Sequence, residues 1–201
     1  MFPTLNANRQ NKAVVTDMVF SDTRAIDDGS TMAQIFIGRT TLFAECYSMK
    51  SDAEFVNTLE DQIRKWGAMD KLVSDRAQAE ISKKVIDILR AYRIDGWQSE
   101  PYQQNQNYSE RRYQVIKSYV NNIMNRTGAP AYTWLLCLSY VCLLLNHLSS
   151  ATLPNETSPF TMLTGQTGDI SKFLGFHFME PVYYNPGPEA GFPPETEEKA
   201  G

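Results

Sequence analysis

The apolar residues between positions 13 and 49 fall in short runs, not at helical spacing. AVVTDMVF at 13–20 mixes β-branched and other apolar residues and predicts a strand with Asp17 at its middle. The segment 21–30, rich in Asp, Ser and Gly, reads as a loop. TMAQIFIG at 31–38 and TLFAECYSM at 41–49 predict two further strands, and the brief Gly38-Arg39-Thr40 link predicts a hairpin. The period then changes. Phe55, Leu59, Gln62, Ile63 and Trp66 share one helical face, so a helix is predicted over 51–66. Ser51 is its expected N-cap, Asp52 and Glu54 suit its positive end, and Gly67 is its expected C-cap. A strand at 71–73 ends at Ser74-Asp75. A helix over 78–92 aligns Ile81, Val85, Ile88, Leu89 and Tyr92, and a short strand follows at 94–97. The polar stretch SEPYQQNQNY at 99–108 leads into a long helix over 109–126, stopped by Gly128-Ala129-Pro130. The most apolar helix covers 131–148. A Pro-, Ser- and Thr-rich loop, a short helix at 159–164 and an ending at 173–184 complete the pattern.

Three antiparallel strands followed by strands joined through helices imply an α/β fold, a five-stranded mixed sheet with helices on both faces. The order assigns 1–12 to a tail, 13–184 to one domain, and 185–201 to a linker or tail rich in Pro and Glu. No internal repeat is visible.

Composition narrows the function classes. With 201 residues, 42% of them hydrophobic, the chain is long enough to bury one core. Three cysteines without a CxxC pair exclude a disulfide scaffold and a cysteine-based zinc module, and fit a reducing compartment. With two histidines, His147 and His177, the parts for a zinc hydrolase or a His-based triad are few. The apolar stretch 134–145 is shorter than the roughly 20 residues that span a bilayer; Trp134, Leu135, Leu138, Val141, Leu144 and Leu145 read as core or oligomer interface. The three cysteines read as small buried apolar groups. The 19 basic and 23 acidic side chains leave a net charge of −4, so any nucleic-acid contact must use local patches or bound cations.

Three carboxylates stand at element ends or inside strands, away from solvated charge runs: Asp17, Asp75 and Glu110. Strand 13–20 is expected to be central, the strand ending at Asp75 can lie beside it, and the long helix can bring Glu110 over the same edge. Clustered carboxylates repel one another and are costly to bury without a cation. Two divalent ions would offset that cost, and an oxygen-only ligand set suits Mg²⁺ or Mn²⁺ better than Zn²⁺.

Four ordered blocks carry a resemblance. TDMVFS at 16–21 with GSTMAQIF at 29–36 looks like the start of retroelement integrase catalytic cores, especially those of copia-type retrotransposons. WGAMDKLVSD at 66–75 resembles their second block, in which a strand ends at the second metal-binding Asp. SEPYQQNQNYSERR at 99–112 is similar to the third, a Pro- and Gln/Asn-rich loop leading into the catalytic Glu. PFTMLTG at 159–165 with Asp169-Ile170-Ser171 resembles a distal copia-type segment. Asp75 and Glu110 stand 35 positions apart, close to the spacing of this superfamily.

The resemblance implies a ribonuclease H-like fold and an Mg²⁺-dependent polynucleotidyl transferase. Such an enzyme trims the 3′ ends of element cDNA and joins them to target DNA, with Asp17, Asp75 and Glu110 holding two Mg²⁺ or Mn²⁺ ions. It also implies a homo-oligomer acting on cDNA ends and target DNA, in the nucleus or a cytoplasmic virus-like particle. Asp22, in Phe20-Ser21-Asp22-Thr23, offers a second Ser-Asp signature; Asp17 is preferred for its place in the apolar run, leaving Asp22 to cap the loop. Gln106, Asn107, Arg111, Gln114 and Lys117 are the candidate DNA contacts, Lys117 by likeness to a DNA-contacting lysine of the family. Arg111, Arg112, Lys117 and Arg126 give the helix a local positive face, although Arg111 and Arg112 equally suit ion-pair anchors. The family's amino-terminal zinc module and basic carboxy-terminal module have no counterpart here, as expected of an isolated core or a fragment of a polyprotein. The main rival reading is a decayed or domesticated fragment acting as a nucleic-acid or protein binding module. A resolvase or ribonuclease H on the same fold is another, disfavoured by the Gln/Asn loop and the 159–165 block.

Overall fold

The structure, a computed structural model, describes residues 8–74, 82–98, 108–184 and 199–200. Strand β1 (Ala13–Phe20) pairs antiparallel with β2 (Met32–Gly38), which pairs antiparallel with β3 (Ala44–Met49). On its other side β1 pairs parallel with β4 (Lys71–Ser74), and β4 parallel with β5 (Asp95–Gln98). The sheet order is β3-β2-β1-β4-β5. This is the expected five-stranded mixed sheet, with β1 at its centre and β4 beside it.

Alternation along the strands sorts side chains between two cores. Val14 of β1, Phe36 of β2 and Met49 of β3 pack under α1 (Phe55–Trp66) and α2 (Lys83–Ala91), meeting Phe55, Leu59, Ile63 and Val85. Ala33, Ile35 and Ile37 of β2 point the opposite way. They meet Ile116 of α3 (Tyr108–Thr127) and Trp134, Leu138, Val141 and Cys142 of α4 (Trp134–His147). Val19 of β1 joins this second core, so Asp17, two residues earlier, lies on the α3/α4 face. Because β2 is covered on both faces, its residues from Ala33 to Gly38 are all buried. The one polar pair inside it, Gln34 Nε2 donating to Thr16 Oγ1, ties β2 to β1.

Several local expectations are corrected. The expected hairpin forms, but its link is longer than 38–40: β3 starts only at Ala44, and the turn closes through Gly38 N–H to Phe43 O and Leu42 N–H to Gly38 O, with Leu42 at φ 57°. The helix expected from Ser51 opens as a 3₁₀ turn (Asp52–Glu54). Ser51 makes no side-chain cap there; Glu54 Oε2 accepts from Lys50 N–H instead. The helix expected from 78 starts at Lys83, because Ser82 is extended (ψ 150°) and caps it by accepting from Val85 N–H. A 3₁₀ turn, Ala131–Thr133, precedes α4. Gly67 does end α1, at φ 96° and ψ 163°. That region is essentially confined to glycine, and a Cβ there would meet the Asn8 carbonyl oxygen at 2.7 Å.

The last third of the chain clasps the end of α4. α5 (Pro159–Thr164) is capped by Ser158, whose hydroxyl accepts from Thr161 N–H, and α6 (Ser171–Leu174) follows. His147 stacks on Phe160 (centroids 4.9 Å apart) and leans on Phe173 (5.6 Å). Lys12 Nζ, just before β1, donates to Met162 O at 2.8 Å. A two-residue ladder pairs β6 (Tyr183–Tyr184), at the end of the expected domain, with β7 (Lys199–Ala200), within the stretch expected to be a linker or tail. No helix among the described residues is long and apolar enough to cross a membrane.

Candidate active site

The site is built on β1. Its pairing with β2 sets Asp17 opposite Ile35, one residue beyond the Thr16–Ser74 pair of the β1–β4 ladder. The Asp17 side chain is partly buried, and Oδ1 accepts from Met18 N–H at 2.8 Å. Helix α3 crosses this face. Ile116, fully buried, anchors it in the core, with Tyr113, Val120, Ile123 and Met124 packed on the same side. Tyr113 reaches the strand and donates its hydroxyl to Met18 O at 3.0 Å. Burial, and then the negative charge of Asp17, push the Tyr113 phenol up to about 12, so it keeps its donor proton at neutral pH.

The predicted residues are distributed as follows. Ser74, immediately before Asp75, pairs with Thr16, immediately before Asp17; Asp75 itself lies outside the described residues, as do Gln106 and Asn107. Glu110 falls in the first turn of α3, one turn before Tyr113, and its side chain lies outside the described part. Arg111, Gln114 and Lys117 are exposed on α3. Lys117 extends its ammonium over the Tyr113 ring, 5.2 Å from the centroid, a cation–π contact. Asp22 sits exposed in the loop after β1. It is not the loop's cap: Ser21 Oγ donates to Thr23 O and accepts from Thr23 N–H, and Asp28 Oδ1 accepts from Ser30 N–H.

Arg112 differs from its expected place on a phosphate-binding face. It turns inward and donates from Nη2 to Leu145 O at 2.7 Å, near the end of α4. It thus anchors the helix through a carbonyl, not an ion pair. Burial lowers its pKa from the usual guanidinium value. Tyr113 was not legible as a site residue; its spacing of three from Glu110 on one helix was the available signal.

Among the described residues, no group of three or more His, Cys, Asp or Glu side chains could hold a metal ion. Asp17 is the one member of the carboxylate trio whose side chain is described. Its carboxylate is partly buried beside the Tyr113 phenol, and an all-carboxylate donor set would suit a hard divalent cation. His147 and His177 are spent elsewhere: His147 Nδ1 bonds Leu143 O at 2.8 Å, and His177 lies in the loop after α6. The thiols follow their packing. Cys137 and Cys142 are buried and Cys46 is partly so, its Sγ 3.3 Å from Ser139 Oγ.

No protein-family model and no curated protein matches the chain. Solved structures do. The catalytic core domain of BIV integrase matches with a TM-score of 0.60 at 13% identity, over 77% of this chain and 95% of that one. The HTLV-2 integrase catalytic core domain, in complex with magnesium in a trimeric form, matches with a TM-score of 0.59 at 12% identity, over 79% and 99%. A simian T-cell lymphotropic virus intasome, in complex with PP2A regulatory subunit B56 gamma, matches with a TM-score of 0.62 at 11% identity, over 89% and 64%. The fold is therefore the ribonuclease H-like α/β fold of integrase catalytic cores, as the sequence blocks implied.

Proposed function

We propose that this chain is the catalytic core of a copia-type retroelement integrase, a metal-dependent polynucleotidyl transferase that trims the 3′ ends of element cDNA and joins them to target DNA. The observation that carries the reading is the meeting of three elements. β1 presents Asp17 on the face crossed by α3, and β4, whose last residue precedes Asp75, is its parallel neighbour. The strand that carries Asp17 and the strand that precedes Asp75 are thus neighbours in the middle of the sheet, with the helix that carries Glu110 packed across β1.

Asp17, Asp75 and Glu110 would hold two Mg²⁺ or Mn²⁺ ions. Bound there, divalent ions supply an activated water or hydroxyl and neutralise charge on the departing oxygen. The chain's own groups do the rest. The sheet fixes Asp17, and the Met18 N–H orients its Oδ1. Lys117 and Gln114, exposed on the same helix, face the solvent in which a DNA phosphate would approach. Gln106, Asn107 and Arg111 complete the proposed DNA contacts. In trimming, a water loses a proton as its oxygen forms the new P–O bond, the bond from that phosphorus to the 3′ oxygen of the retained strand breaks, and that oxygen takes up a proton to become the new 3′ hydroxyl. In joining, the freed 3′ hydroxyl attacks a target phosphodiester, loses its proton and displaces the target strand's own 3′ oxygen. Two cDNA ends must be joined together, which calls for a homo-oligomer, acting in the nucleus or a virus-like particle.

A disintegration assay on branched DNA with Mn²⁺ tests the reading. The wild-type chain should reverse strand transfer and Asp75→Asn should not. No activity in the wild-type chain, or equal activity in the two, overturns the reading; an inactive chain that binds DNA without a metal requirement favours the decayed binding module instead.

A further inference from the structure

Met18 has both of its backbone polar groups committed at the site. Its N–H donates to Asp17 Oδ1 at 2.8 Å, and its carbonyl accepts from the Tyr113 hydroxyl at 3.0 Å. One residue of β1 therefore joins the Asp17 carboxylate to a phenol on α3. That phenol stands one helical turn after Glu110 and one turn before Lys117. Its ring also supports the Lys117 ammonium at 5.2 Å. The packing of α3 on the sheet runs through Ile116 and its apolar neighbours. Apolar contacts set how closely α3 lies on the sheet, but they tolerate sliding along it. A directed hydrogen bond sets the register.

We infer that Tyr113 is a positioning residue of the proposed metal site: its hydroxyl locks α3 in register with β1, so that Asp17 and Glu110 are held at a fixed separation, and its ring holds Lys117 beside them. The inference rests on the two-metal reading given above. It concerns how the ligand set is kept in place and assigns Tyr113 no contact with substrate.

The test compares the full chain with Tyr113→Phe and Asp17→Asn. Two readouts are taken against Mn²⁺ concentration: the rise in melting temperature and the rate of disintegration. Phe keeps the ring and its apolar packing and deletes only the hydroxyl. The expected result is a Tyr113→Phe chain that folds in EDTA and responds to Mn²⁺ in both readouts, with midpoints raised roughly tenfold, the scale seen when groups supporting metal ligands are removed. Asp17→Asn should lose the metal-dependent melting shift. If Tyr113→Phe keeps the wild-type midpoints while Asp17→Asn loses the shift, the positioning role is overturned and the metal site stands. If Tyr113→Phe fails to fold in EDTA, or loses melting temperature with no change in midpoint, its role is purely structural. If the wild-type chain shows neither a melting shift nor turnover with Mn²⁺, both this role and the two-metal reading fall.

Discussion

Two neighbouring cations on α3 have opposite fates. Arg112 is drawn inward to a carbonyl of α4, while Lys117 stays in solvent over an aromatic ring. Substituting each should separate stability from binding. Arg112→Ala removes a charged hydrogen bond and packed stem, and is expected to cost about 1–3 kcal/mol in urea unfolding. Lys117→Ala should leave the unfolding free energy unchanged within about 0.5 kcal/mol. In a salt titration of DNA binding, Lys117→Ala should flatten the slope of log K against log salt by about 1. The cysteines offer a second residue-scale check. Cys46 shares a side-chain hydrogen bond with Cys142 that lowers the Cys46 thiol and raises that of Cys142, and burial pushes Cys137 up to about 11. Because the thiolate is the nucleophile, iodoacetamide should modify Cys46 first, and already at a pH below that needed for an ordinary thiol. Mass mapping that finds Cys137 or Cys142 labelled ahead of it would contradict this ordering.

Elements were legible where one signal dominated. β1 and the 159–164 helix fall at their expected bounds, the first because β-branched and apolar residues flank Asp17 on both sides, the second because Ser158 and Pro159 mark its start and Gly165 its end. Misplaced boundaries share a cause: a local choice among polar groups. Glu54 turns back to Lys50 N–H ahead of α1, Ser82 caps α2, and Ser51 makes no side-chain cap; apolar periodicity carries no information about such choices. Long-range polar fixings were invisible for the same reason. Asn146 of α4 accepts from Ala44 N–H at 2.8 Å and donates to Ala44 O at 2.7 Å, so a buried side chain completes the first residue of the edge strand β3. Asn146→Ala strands two buried backbone groups and is expected to cost about 2–4 kcal/mol by denaturant unfolding. Gly67→Ala forces a Cβ against the Asn8 backbone at a φ suited to glycine, and about 1–3 kcal/mol should be lost, with α1 itself intact by circular dichroism.

At the scale of the molecule, the strand order on which the carboxylate trio rests, a central β1 with parallel β4 beside it, was legible in the succession of strands and helices. The link between β1 and α3 was not read, because it runs through a tyrosine in a face scanned for charge. A net charge of −4 gives the molecule no overall pull toward DNA. Divalent ions at a carboxylate cluster would reverse the local sign, so Mg²⁺ removal should weaken binding to a cDNA end in fluorescence anisotropy more than to a random duplex. Equal loss on both substrates would point to nonspecific bridging.

The stacking of His147 between Phe160 and Phe173, with Lys12 reaching across to Met162, has a bearing on where this chain can be cut. A version ending at Leu148 would retain every strand of the five-stranded sheet, yet it would bare the histidine ring and leave the Lys12 ammonium without its carbonyl. Protein engineers dissecting the molecule should therefore place the shortest self-sufficient version beyond Leu174. Deuterium uptake at the C-terminal end of α4 should quicken in any shorter one.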